Sequence, residues 1–135
     1  MEREVDMNFE AALTIELESI PALNNRVYPL AAPEEKFNLT QPYLIFVSSA
    51  GLRTRDLDSY QSGKTVKGEL NVIAPRFGDV VTTMTSVIDK LVSMEQRAIG
   101  GTGPFIQEIV YRQPVEMYED KPKLYRSLVE FEVYF

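Results

Sequence analysis

The chain contains no cysteine, no histidine and no tryptophan among its 135 residues. Without histidine it lacks the side chain that most often shuttles protons at neutral pH and that commonly binds zinc or copper. Without cysteine it has no thiolate nucleophile, no disulfide and no iron–sulfur ligand. Catalysis would rest on carboxylates, Lys, Tyr or Ser without their usual activating partner. We therefore predict a binding or assembly protein that is not an enzyme and that uses no cofactor or metal.

Long apolar runs and a basic surface stripe are also missing. The apolar run Tyr43–Val47 is much too short to span a bilayer, and we expect no membrane association. The first residues show no basic segment followed by an apolar one. We therefore expect that the chain has no secretory signal and that it is synthesised in a cytoplasm. The net charge is −6. Because phosphate neutralisation supplies most nucleic-acid affinity, an acidic chain is expected to bind nucleic acid poorly.

Two helices are predicted from apolar residues at helical spacing. The first covers about Met7–Ser19 and ends before Pro21. The second begins at an Asp79 N-cap and ends at Gly100-Gly101. The predicted core faces are Phe9, Ala12, Leu13, Leu17 and Ile20 in the first helix, and Val80, Met84, Val87, Ile88 and Leu91 in the second.

Five extended segments surround these helices. Lys64–Ala74 alternates polar and apolar residues and predicts a half-buried strand with Asn71 on its polar face. A turn-rich stretch, Pro114–Pro122, separates the last two segments. The order α-β-β-β-α-β-β in a single domain, residues 1–135, predicts an α+β fold with one mostly antiparallel sheet of about five strands and both helices on one face. The segments are Arg26–Leu30, Pro42–Ser49, Lys64–Ala74, Phe105–Gln113 and Lys123–Phe135.

Residues 51–63 have no apolar periodicity and predict a mobile loop. Charged residues at an interface discriminate between partners, and a loop can become ordered when it docks. We therefore hypothesise an interaction loop, and a solvated loop without a partner is the alternative. The residues assigned to the interaction loop are Arg53, Arg55, Asp56, Asp58, Tyr60 and Lys64.

Two motifs in this region resemble ligand sites but lack required residues. Ser62-Gly63-Lys64-Thr65 resembles the end of a phosphate-binding P-loop, but Asp58 stands where the first glycine is needed, and a strand follows rather than a helix. Asp56-Leu57-Asp58 begins like a calcium loop, but Tyr60 occupies the next ligand position. We predict neither a nucleotide site nor a metal site here.

Two pairs of residues could be mistaken for catalytic groups. Ser48-Ser49 has no histidine to activate a hydroxyl. Glu130 and Glu132 alternate on the last strand and could form an acid/base pair. A general acid needs a pKa raised by burial, whereas alternating glutamates are typical of a solvated face or a contact surface. No catalytic residue is therefore predicted.

The segment Arg26–Pro33 (RVYPLAAP) and the following Pro42–Phe46 (PYLIF) resemble the opening of a known family. Tail-completion proteins, or tail terminators, of long-tailed phages and prophages have a V-Y-P-x-x-A-P strand and then a P-Y strand. In that family a loop, an alternating strand like Gly68–Ala74, a helix and two final strands follow, so the resemblance in element order spans about Phe9–Phe135. The acidic N-terminal stretch departs from the pattern, as does Ile73, near which the family commonly has tryptophan.

The resemblance implies a structural virion protein without catalysis. Members of the family form a ring, typically six-fold, that ends tail-tube polymerisation and joins the tail to the head. For this chain it implies self-association, partners in the tail tube protein and the head-completion (connector) protein, and a place at the head–tail interface. DNA would pass through the ring without specific binding, which suits a net negative chain. The last strand, ending in Val133-Tyr134-Phe135, is expected to pack against a neighbour.

Other classes of protein stay open on the sequence. Another tail or neck component, such as a tube subunit or connector adaptor, would share most of these features. A small-molecule-binding or carboxylate-based enzymatic α+β domain would differ, because it requires a buried carboxylate of perturbed pKa and a deep polar pocket. A generic adaptor domain is a further alternative.

Overall fold

The computed structural model describes residues 9–29, 42–48, 52–55, 60–119 and 123–135. In this part of the chain, two α-helices lie against a seven-stranded sheet, and a two-stranded ribbon completes the fold. The helices are α1 (Phe9–Glu18) and α2 (Phe77–Ser93), and a short 3₁₀ turn, Pro21–Leu23, follows α1. The strands are β1 (Val27–Pro29), β2 (Tyr43–Ser48), β3 (Leu52–Arg55), β4 (Tyr60–Ala74), β5 (Arg97–Ala98), β6 (Phe105–Ile106), β7 (Glu108–Tyr111), β8 (Val115–Glu119) and β9 (Leu124–Tyr134).

The sheet is built around the two longest strands, β4 and β9. Its order is β1-β2-β4-β9-β7, with β3 added to β4 past the end of β2 and β8 added to β9 past the end of β7. Every pair is antiparallel except β1 with β2. β9 pairs with β4 on one side and with β7 and β8 on the other, so in the described chain β7 and β8 form the outer edge of the sheet.

Both helices bury their apolar faces against the same side of the sheet. Leu13 and Leu17 of α1 and Leu91 of α2 are fully buried, in one cluster with Leu44 and Leu70 of the sheet. The predicted core faces of both helices are confirmed, although Ile88 is only partly buried. The predicted α+β class, with a mostly antiparallel sheet and helices on one face, is therefore confirmed.

Helix α2 begins and ends earlier than predicted. Its N-cap is Arg76, so Asp79 lies in the first turn of the helix and not at the cap. There its carboxylate is near the positive end of the helix dipole, which explains why the residue suits a helix start. Gly100 and Gly101 lie beyond the helix, in the turn of the β5–β6 ribbon. Their φ angles of 64° and 89° are readily adopted by glycine, so the pair marks this turn and not the helix end.

Two segments predicted as loops contain strands. Within residues 51–63, Leu52–Arg55 and the residues from Tyr60 onward form a hairpin, so the prediction of a loop is wrong for them. Residues 51 and 56–59 lie outside the described residues. Within Pro114–Pro122, Val115–Glu119 forms β8. β3 and β8 are short and lie beside Pro, Gly or Asp. These turn-forming residues indicated a loop more strongly than the brief alternation of polar and apolar residues indicated a strand.

The second half of β4 is buried on both faces. Asn71, predicted on a solvated face, is only 4% exposed because it lies between Ile45 of β2 and Leu128 of β9. A second apolar cluster, which includes Tyr43 and Ile73, lies on the same face. The alternation predicted for β4 is therefore correct, but its polar face is solvated only in the first half of the strand.

Candidate functional site

A groove of about 720 Å³ crosses the sheet face turned away from the helices. It lies where the second apolar cluster no longer covers this face, and it runs over β2, β4, β9 and β7. We call it the sheet groove. The side chains that project from this face into its lining are Val47, Lys67, Glu69, Val110, Arg112, Glu130 and Glu132.

The strand register sets the charge pattern of the sheet groove. Glu69 lies directly opposite Glu130 on β9, and Lys67 lies opposite Glu132. The Lys67 Nζ is 3.4 Å from Glu132 Oε1, and the Arg112 Nε is 3.8 Å from Glu130 Oε2. With three carboxylates and two cations, the sheet groove is a negatively biased surface of exposed ion pairs.

The surroundings of Glu132 stabilise the ionised form of its side chain. The Tyr134 hydroxyl donates to Glu132 Oε2 at 2.7 Å. This hydrogen bond is the main reason that the pKa of Glu132 lies below its ordinary value, and the positive charges of Lys67 and Arg112 act in the same direction. A general acid needs the opposite shift. Glu132 therefore lacks the raised pKa that a general acid needs, and it lies beside Glu130 on the partly exposed face of the sheet.

Ser48 has a structural partner on α1. Its Oγ donates to Glu10 Oε1 at 3.1 Å, which links β2 to the first turn of α1. A carboxylate without an intervening histidine is not the arrangement that activates a serine nucleophile. Ser49 lies outside the described residues.

The described ranges contain neither a metal-binding cluster nor a membrane-spanning helix. Acidic side chains nowhere gather in a group of three that could hold a metal ion in this part of the chain. Neither of its helices is long and apolar enough to cross a bilayer.

Four of the six residues assigned to the interaction loop lie in the β3–β4 hairpin. Asp56 and Asp58 lie outside the described residues. The hairpin extends past the region where β4 is paired with β9, because that pairing begins at Thr65. The backbone of this hairpin therefore carries three basic residues at one corner of the sheet. The cross-strand partners are Arg53 with Lys64 and Arg55 with Tyr60.

The exposed edge formed by β8 was missed from the sequence. Val115, Met117 and Tyr118 are 56%, 41% and 49% exposed, so β8 is uncovered on both faces. The Tyr118 ring lies 4.8 Å from that of Tyr125, which in turn lies 5.5 Å from Phe77 at the start of α2. The alternation in V-E-M-Y-E was the available signal, but it is only five residues long.

Sequence and structure comparisons differ in what they detect. No protein-family model and no curated protein matches the sequence. The fold is similar to that of a chain from the "Virion of native gene transfer agent (GTA) particle", with a TM-score of 0.67 and 17% sequence identity. The similarity covers 93% of this chain and 92% of that chain. The two chains therefore share a fold over nearly their whole lengths.

Proposed function

We propose that this chain is a structural component of a phage-like virion. The observation that carries the proposal is the fold similarity to a chain of the gene transfer agent virion, which spans nearly all of both chains. An independent observation supports it: the Arg26–Pro33 and Pro42–Phe46 segments resemble the opening of phage tail-completion proteins. A fold alone does not define a function, so the proposal depends on the two observations together.

Within that class, we propose the role of a tail terminator. The chain would form a ring of six subunits, as in the family it resembles, on the end of the tail tube. There it would stop tube polymerisation and join the tail to the head. Its partners would be the tail tube protein and the head-completion protein, and its place in the virion would be the head–tail interface. The negative charge supports passage of DNA without adhesion.

The same fold similarity also supports a second role in the virion, that of a tube subunit or connector adaptor. A carboxylate-based enzyme finds less support. Glu132 in the sheet groove has a lowered pKa, whereas an acid catalyst needs a raised one.

Inactivating the gene in a cell that produces the particles tests the proposal. Electron microscopy should reveal tails of uncontrolled length that are not joined to heads, and the wild-type gene supplied in trans should restore joined particles. A tube subunit would instead leave no tubes, and a connector adaptor would leave unjoined tails of normal length. Normal joined particles would rule out any necessary role in the virion.

A further inference from the structure

The outer edge of β8 is open to another strand. In the described chain, β8 pairs with β9 on one side and with no strand on the other. Its exposed Val115, Met117 and Tyr118 leave it without a cover on either face. An uncovered edge strand with apolar side chains is a template for the addition of a strand from another chain.

Charge determines which strand suits this edge. β8 contains Glu116 and Glu119 and no basic residue. Glu119 is compensated by Arg126, whose Nε lies 2.8 Å from Glu119 Oε1. Glu116 accepts a 3.4 Å hydrogen bond from Ser127 Oγ, and no cation of the described chain pairs with it. Two β8 edges would bring uncompensated carboxylates together, whereas a basic strand would supply the missing positive charge.

The chain itself carries a basic edge of matching length. β3 has the sequence Leu52-Arg53-Thr54-Arg55, with two bases and no acid. Lys64 is its cross-strand neighbour on β4 and adds a third positive charge to the hairpin. In the described residues β3 pairs with β4 alone, and its other edge has no strand partner in this part of the chain.

The two edges lie on opposite sides of the sheet. β3 flanks β4 on the side occupied by β2, whereas β8 flanks β9 on the far side. A contact between two different surfaces of identical chains is head to tail. Such a contact repeats from copy to copy and closes into a ring when the rotation between copies allows it.

We propose that the partner of the β8 edge is a second copy of this chain, which adds its β3 strand there and places its basic residues beside Glu116. This inference rests on the ring proposed above and names the surfaces that would build it. It also gives the hairpin residues Arg53, Arg55 and Lys64 a specific partner.

Cross-linking tests the contact directly, because the chain has no native cysteine. Thr54→Cys and Met117→Cys, combined in one chain that replaces the wild type in producing cells, should give a ladder of covalent oligomers when purified tails are treated with a short thiol-specific cross-linker. Either single variant should give no ladder. Thr54→Cys with Val92→Cys, on the exposed side of α2, is the matched control and should also give none.

Each other outcome of this experiment overturns a stated proposal. Efficient dimers from Met117→Cys alone would show that two β8 edges pair, which contradicts a head-to-tail contact. Tails that contain the protein but yield no ladder from the Thr54/Met117 pair would overturn the β3–β8 contact while leaving the terminator role intact. Wild-type tails that lack the protein altogether would overturn the terminator role.

Charge reversal supplies a second test. Glu116→Lys and Arg53→Glu should each reduce joined particles at least tenfold, because each places like charges across the contact. The double variant should recover most of the loss, since opposite charges again face each other. Asp89→Lys, on the exposed side of α2, is the matched control and should keep wild-type yield. Circular dichroism checks that each variant folds. A wild-type yield of joined particles from both single variants would contradict the proposal. A double variant whose yield is no higher than that of either single variant would also contradict it.

Discussion

Arg97 holds Glu16 through two parallel hydrogen bonds that tie α1 to the β5–β6 ribbon. The Arg97 Nη2 donates to Glu16 Oε1 at 2.7 Å, and its Nη1 donates to Oε2 at 2.9 Å. Oε2 also accepts the backbone N–H of Gly100 at 2.9 Å. The mostly buried carboxylate of Glu16 therefore accepts hydrogen bonds from both the Arg97 guanidinium and the turn of the ribbon.

Replacing this carboxylate should destabilise the fold. We expect Glu16→Gln to lower the free energy of unfolding by about 1–2 kcal/mol, measured by urea denaturation at neutral pH. The loss is moderate because Arg97 is 39% exposed and water can solvate it. Glu18→Gln, near the end of the same helix, is the matched control and should have little effect. Equal stability of the Glu16 variant and the wild type would show that the pair contributes nothing net.

The same carboxylate should make stability depend on pH. The Arg97 hydrogen bonds lower the pKa of Glu16 below its ordinary value near 4.5, although burial acts in the opposite direction. A carboxyl with a lowered folded-state pKa stabilises fully above its unfolded value. This stabilisation is lost as the pH falls from about 4.5 through the folded-state pKa. Urea midpoints measured across this range should fall less steeply for Glu16→Gln than for the wild type.

Leu91 should be among the most sensitive positions of the core. Its side chain is fully buried between α2 and the sheet. We expect Leu91→Ala to cost about 2–5 kcal/mol, because it removes buried apolar contacts and leaves a cavity. The adjacent Val92 is 54% exposed, so Val92→Ala should change stability by less than about 0.5 kcal/mol. Similar denaturation midpoints for the two variants would contradict the packing of α2.

Gly68 and Gly78 should respond to alanine in opposite directions. A Cβ at Gly68 would collide with the Val47 carbonyl oxygen and lie 3.0 Å from the Phe131 ring. Gly68→Ala should therefore destabilise by about 1–3 kcal/mol. A Cβ at Gly78, in the first turn of α2, meets nothing within 4 Å. Gly78→Ala should stabilise by up to about 1 kcal/mol, because alanine favours the helix. Thermal unfolding of both variants checks the contrast.

The hydrogen bond in the sheet groove should be visible in the titration of Glu132. Tyr134→Phe removes the largest cause of its lowered pKa, so that pKa should rise toward its ordinary value. Lys67→Met removes a smaller contribution and should raise it less. Carbon-13 NMR of the carboxyl group across acidic pH measures both shifts. An unchanged pKa in Tyr134→Phe would show that the bond does not form in solution.

Sequence reasoning predicted the helices and their core faces well, but it predicted the candidate site poorly. The spacing of Leu13 and Leu17, and of Met84 and Leu91, is repeated within each helix and can be read without knowing the fold. The sheet groove has no such local pattern. Lys67 and Glu132 become partners only through the register of β4 with β9. The β8 edge was not predicted because β8 has no buried face, so its sequence needs no long alternation of polar and apolar residues.

The sequence by itself determined which residues are apolar at helical or strand spacing, and hence two helices, most of the main strands and the α+β class. It also excluded histidine and cysteine chemistry. Only the tertiary structure decided that Asn71 is buried, that β9 is an interior strand, and that Glu16 meets Arg97 across 81 residues of sequence. The periodicity of a segment shows which of its residues must be buried. Which other segments they are buried against depends on how all the segments pack together.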